Sequence, residues 1–128
     1  MKKLTPVLVV EAIEPQLEFW CGRLGFQKLA EVPHGGALGF VILQHGPVEL
    51  MLQSRASVLE DNPAAAERAA HVTLFVEVED LDSIRARLAG LPLVFDGRTT
   101  FYGSRETCVH DPAGNVIVFA QFPPADKS

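Results

Sequence analysis

The sequence predicts an α+β fold of two β-α-β-β-β modules whose strands form a curved mixed sheet, with helices on its outer face. Three observations predict it. Leu8-Val9-Val10-Glu11 returns as Leu74-Phe75-Val76-Glu77, and the helical spacing of Leu17, Trp20 and Leu24 returns as Leu81, Ile84 and Leu88. Each copy is then followed by three apolar or β-branched stretches bounded by turn residues. One copy alone would leave a bare sheet face and an uncovered edge, so the two are expected to combine into one larger sheet whose inner face is a trough.

The elements follow in order. "TPVLVVEA" is β-branched and reads as a strand ending near Glu11. In "EPQLEFWCGRLGF", Pro15 suits a first helical turn, Leu17, Trp20 and Leu24 share a face, and Gly25 closes the helix. "FQKLAEV", "ALGFVILQ" and "VELMLQ" are three strands separated by the turn chemistries "PHGG" and "HGP". "SRASVLEDNPAAAERAA" loses strand character and reads as the connection, with a helical turn in its alanine-rich end. "HVTLFVEVEDLDSIRARL" opens the second copy with a strand beginning at His71, and "LPLVFDG", "SRETCVHD" and "NVIVFAQF" complete it. The organisation is residues 1–53 as first module, 54–70 as connection, 71–122 as second module and 123–128 as a tail, one domain overall.

Composition narrows the function classes. The chain has 128 residues, 48% of them apolar, enough for one domain with a real core. No window is long and apolar enough to span a membrane, and the basic start lacks a signal-peptide core, so a soluble cytoplasmic protein is expected. Cys21 and Cys108 have no framework spacing and read as reduced, packed thiols. The net charge of -5, with scattered Lys and Arg, disfavours nucleic acid and mildly favours a cationic ligand. No serine sits in a nucleophile elbow and no glycine loop fits a phosphate.

"FWCGRLGF", "HVTLFVEVEDLDSIRARL" and "DPAGNVIVF" together resemble the vicinal oxygen chelate superfamily of glyoxalases, extradiol dioxygenases and antibiotic-resistance proteins, over about Leu4 to Phe122. The resemblance implies a concave sheet, often completed by dimer formation, and in the enzymes a divalent metal held by one ligand from the first and last strand of each module. His71 matches one such position and Glu49 in "VELML" another. The repeat carries the first position onto Thr5, and Val118 stands where the enzymes' "DP-x-G-N-x-x-E" has its glutamate. Two ligands of four do not suit a catalytic site that keeps at least three protein ligands. "TPVLVVEAIEPQLEFW" and "DPAGNVIVF" are most similar to bleomycin-resistance proteins, which implies sequestration of a cationic glycopeptide by a homodimer, without metal.

Strand alternation places Glu49, Met51 and Gln53 on one face, with His71, Thr73 and Phe75, and with Val116, Val118 and Ala120. The candidate ligand-binding residues are Phe40, Glu49, Met51, His71, Phe75, Phe101, Tyr102 and Val118. "DPAGN" needs no functional explanation, since Asp111, Pro112 and Gly114 close a hairpin. For His71 and Glu49 an ordinary hydrogen-bonded pair outweighs metal ligation, Trp20 reads as core, and Arg105 and Glu106 must point oppositely, with parity unable to say which faces inward.

The expected function is a metal-independent small-molecule binding protein acting as a homodimer, with no catalytic residue and no cofactor. The alternative is a glyoxalase-type lyase or isomerase, or a dioxygenase, in which His71 and Glu49 bind Zn, Ni, Mn or Fe as a Lewis acid. Fold alone does not decide between them.

Overall fold

The computed structural model describes residues 1–124, and the chain divides into two compact units, Met1–Ala70 and the remainder from His71. The expected 123–128 tail therefore falls, from residue 125, outside the described residues.

In the first unit, β1 (Val7–Val10) leads into α1 (Glu14–Leu17), which widens into a π-helical stretch over Glu18–Arg23, followed by β2 (Gln27–His34), β3 (Ala37–His45) and β4 (Val48–Ser54). They form a four-stranded sheet of order β1-β4-β3-β2, with β1 parallel to β4 and the other pairs antiparallel. In the second unit, β5 (Thr73–Glu77) is followed by the helix Leu81–Arg87, then by β6 (Leu93–Thr99), β7 (Arg105–His110) and β8 (Val116–Gln121). The order β5-β8-β7-β6 repeats the first sheet strand for strand. The α+β class and the duplication are thus present, each module contributing a four-stranded mixed sheet.

The duplication extends to single hydrogen bonds. Met51 N donates to Pro6 O at 3.0 Å, and Val116 N donates to Val72 O at 2.9 Å. Thr5 and His71 are therefore equivalent positions. Neither lies in its strand, because β1 starts at Val7 and β5 at Thr73, not at His71 as the sequence suggested.

Alternation sorts each strand into a covered and an open side. In the first module Leu8, Val10, Val41, Leu43, Leu50 and Leu52 are buried and make the core with Ile13, Phe19, Trp20 and Leu24. Each such side chain is worth about 1.5–3 kcal/mol relative to exposure. The wider winding after Leu17 shifts the helix face from the one expected. Gln16 is buried where Leu17 is half-buried, and the Gln16 side-chain oxygen accepts a 3.1 Å bond from Trp20 Nε1, which satisfies both groups.

The connection is more regular than the sequence suggested. It holds α2 (Arg55–Asp61) and α3 (Pro63–Arg68), so the helix of the second module is α4. Ser54 caps α2 by accepting from Ser57 N at 3.2 Å, and Asn62 caps α3 by accepting from Ala65 N at 3.3 Å. Pro63 at the first helical turn of α3 makes Asn62-Pro63 a break between helices.

In the second module α4 covers one side of its sheet, where Val109, Ile117 and Phe119 are buried with Leu81 and Leu88. Arg85 clamps Asp96 of β6 through Nε at 2.7 Å and Nη2 at 2.9 Å, and Leu81 N donates to the Gln121 side chain at 2.8 Å. Arg105 reaches Asp82 of α4 at 3.1 Å, so Arg105 is on the helix side and Glu106 on the open side.

Candidate functional site

The open side of the second sheet is built in rows across the strands. Phe75, Val118, Cys108 and Phe95 are direct neighbours in one row, and Glu77, Ala120, Glu106 and Arg98 in the next. A regular β6 could not place both Phe95 and Arg98 there, since three residues apart they would point to opposite sides. The register shifts between Phe95 and Arg98, with Gly97 at φ +68°, a value that favours glycine. Asp96 faces α4 as the residue after Phe95 must, and the bulge returns Arg98 to the side of Phe95, where its guanidinium carbon lies 3.8 Å from the ring centroid.

Glu106 is the electrostatic centre of this side. It is 1% exposed, yet both carboxylate oxygens are satisfied. Oε1 accepts from Arg98 Nη2 at 3.0 Å, while Oε2 accepts from Tyr102 Oη at 2.5 Å and Ser104 Oγ at 2.9 Å. Burial pushes the carboxyl upward, but the bonds from Tyr102, Arg98 and Ser104 more than offset it, and Glu106 is held below the ordinary glutamate range. Its neighbour Cys108 is driven the other way: burial raises the thiol, which is a packed side chain and not a nucleophile.

An aromatic chain borders the carboxylate. The turn Thr100–Ser104 is closed by Thr100 N to Ser104 O at 2.9 Å and by the two side-chain hydroxyls at 2.8 Å. It presents Phe101 edge-on to Tyr102, with centroids 5.0 Å apart. Tyr102 lies 6.1 Å from Phe122, which lies 6.3 Å from Phe75. Phe75 is 53% exposed and Phe101 99% exposed, an apolar surface of the kind that marks binding sites.

Of the residues expected from the sequence, Phe75, Tyr102 and Val118 are brought together here. Phe101 belongs to the same turn but projects into solvent. His71 is exposed before β5, with its ring so close to Gly114 that a Cβ there would come within 3.2 Å. Phe40, Glu49 and Met51 share the open side of the first sheet, where Met51 pairs with Ile42 and Val7, and Gln53 with Phe40 and Val9. Glu49 is engaged by Lys3 Nζ at 2.8 Å. Sequence reasoning missed Arg98, Phe95, Ser104 and Phe122 and left Glu106 undecided; the sole local signal was a glycine inside a strand.

The register also corrects the repeat equivalence of Glu49. Val118 sits opposite Phe75 as Gln53 sits opposite Val9, so Gln53 is the counterpart of Val118 and Glu49 lies four residues too early. The equivalent positions then hold Thr5, Gln53, His71 and Val118: a hydroxyl, an amide already donating to Ser57 at 3.1 Å, an imidazole and a hydrocarbon. This donor set does not fit a catalytic divalent ion. Among the described residues no group of three or more His, Cys, Asp and Glu side chains is gathered for a metal.

Comparison with known proteins agrees with this architecture. The family model of the Glyoxalase/Bleomycin resistance protein/Dioxygenase superfamily matches residues 4–119. No curated protein gives a significant match. TioX from Micromonospora sp. ML1 superposes with a TM-score of 0.77 at 20% identity, covering 96% of this chain and 100% of that one. Lactoylglutathione lyase from Agrobacterium tumefaciens gives 0.76 at 16% identity, covering 94% of each chain. The bleomycin-binding protein from bleomycin-producing Streptomyces verticillus, complexed with copper(II)-bleomycin, gives 0.64 at 22% identity, covering 97% of this chain and 98% of that one. At these identities the likeness is one of fold.

Proposed function

The chain belongs to the Glyoxalase/Bleomycin resistance protein/Dioxygenase superfamily, and we propose that within it this protein is a metal-independent binder that sequesters a ring-bearing small molecule. The observation that carries this reading is the aromatic run of exposed Phe75, half-buried Phe122 and exposed Tyr102 beside a buried, fully compensated carboxylate. Such a surface offers stacking and apolar contact with polar groups held in fixed positions, as ligand sites do. It offers no activated nucleophile, and Glu106 is held ionised by three donors, which makes it a poor proton donor.

The half-exposed Val7 of the first module and Phe75 of the second are sheet residues that a further layer can cover, which supports action as a homodimer. Removal of the ligand is then stoichiometric, and against an antibiotic it confers resistance by mass action. The glyoxalase-type alternative is disfavoured by the donor set at Thr5, Gln53, His71 and Val118.

Titration of naphthylmethanol, a neutral ring probe, tests the reading. It should bind the protein at fixed stoichiometry, with affinity falling about tenfold in Phe75→Ala, the loss of roughly 1.4 kcal/mol of ring contact. Turnover of an α-oxoaldehyde thiol adduct in the presence of Zn, Ni, Mn or Fe would instead establish the enzyme.

A further inference from the structure

The charge of the ligand follows from how Glu106 divides its bonds, given the ring site just proposed. The net charge of -5 would favour a cation, and Glu77 stands on the open side two residues from Phe75, but among the described residues the part of that side toward Arg98 carries no unpaired carboxylate. Its buried carboxylate is matched by Arg98, and the matching spends only part of the guanidinium. Arg98 is half-exposed, and Nη2 alone bonds Glu106. Among the described residues Nη1 and Nε have no partner, while the Phe95 ring and Glu106 fix the plane of the group. The other carboxylate of that row, Glu77, is three strands away from Arg98. At the usual strand spacing this is about 14 Å, beyond a Debye length in physiological salt.

The rings and the guanidinium belong to one assembly. Tyr102 and Arg98 are held on the two oxygens of the same carboxylate, so a ring resting on Tyr102 and Phe122 lies beside the unspent donors of Arg98. A planar guanidinium with two open N–H groups matches the two oxygens of a carboxylate, and its orientation is already fixed by its neighbours. A cation at the same place would meet Arg98 with like charge.

We infer that the second module binds a planar aromatic carboxylate, its ring on Tyr102, Phe122 and Phe75 and its carboxylate on Arg98. Arg98 is thus the specificity-determining residue of the site. Glu106 and Phe95 are positioning residues that act through it.

Three probes that share one ring test this: naphthoate, naphthylmethanol and naphthylmethylammonium, each titrated into the full chain by calorimetry. Naphthoate should bind about tenfold tighter than the alcohol, the ratio given by one well-oriented charge-assisted contact, and the ammonium probe should bind most weakly. The double variant R98M/E106Q removes both charges together and so leaves no unpaired carboxylate; in it the ratio of naphthoate to alcohol affinity should fall from about ten to about one. If that variant does not fold, Arg98→Lys keeps the ion pair while dropping the guanidinium fork, and the advantage should shrink. Equal binding of naphthoate and the ammonium probe, or an advantage that persists in the variant that folds, overturns the inference and leaves the ring site standing. Failure of all three probes to bind removes the ring site and the inference with it.

Discussion

Glu106 shows how one residue couples stability to the site. A buried carboxylate is costly unless its oxygens are met, and here three side chains meet them. Its pKa in the folded chain lies below the unfolded value of about 4.5, so the stability it contributes is complete above that pH and is lost as pH falls through the lower folded value. Urea midpoints should therefore drop as pH falls below about 5, and Glu106→Gln should flatten part of that slope. The remainder belongs to Asp82, held low by Arg105 and Arg85, to Asp96, held low by Arg85 and Thr107, and to Glu14, held low by the backbone N–H of Leu38. Tyr102→Phe keeps the ring and removes one donor to Glu106. It should lower stability by about 1–3 kcal/mol while sparing most of the affinity for a neutral ring, measurable by urea unfolding and probe titration. Asn115 illustrates a structural role: its side chain accepts from Val72 N at 2.9 Å and donates to Asp111 at 2.9 Å, tying the start of β5 to the turn before β8. Asn115→Ala should cost about 1–3 kcal/mol in the same unfolding assay by leaving buried partners unmet.

Among the elements, β6 decides what the open side can recognise. Its bulge at Phe95 to Arg98 adds a residue, and that residue reverses the side on which Arg98 stands. Gly97→Val should penalise the positive φ that the bulge requires and favour regular alternation at unchanged length, which would send Arg98 to the α4 side and leave Glu106 without its guanidinium. The expected result is loss of any naphthoate preference together with lower stability, read by titration and thermal unfolding. Strand alternation in the sequence correctly grouped Phe75 with Val118 and Met51 with Glu49, because those strands are regular. It could not group Arg98 with Phe95, because an irregular register has no period to read.

At the scale of the whole molecule, the duplicated order β1-β4-β3-β2 and β5-β8-β7-β6 provides two similar sheets with different open sides. Hydrophobic periodicity showed the duplication, but periodicity aligns residues only along a strand and not across to its partner. The pairing of β1 with β4 was needed to show that Gln53, and not Glu49, answers to Val118. Saturating Zn, Ni, Mn or Fe should accordingly leave the midpoint of thermal unfolding unchanged. A native-state ligand at about 100 times its dissociation constant adds about 2.7 kcal/mol, so a specific metal site could not escape notice as a shift of several degrees.

The sequence by itself determined the α+β class, the two β-α-β-β-β modules and the sharing of one face by alternate strand residues. All of these rest on periodicity and local turn chemistry, which act between near neighbours in the chain. Tertiary structure alone decided that Gln16 is buried, that the connection is two capped helices, and that Arg98, Tyr102 and Ser104 converge on Glu106. Those outcomes depend on a π-helical widening, a bulge and the register between strands. Each is settled by which polar groups can be satisfied once the chain is packed, a balance that no local stretch of residues contains.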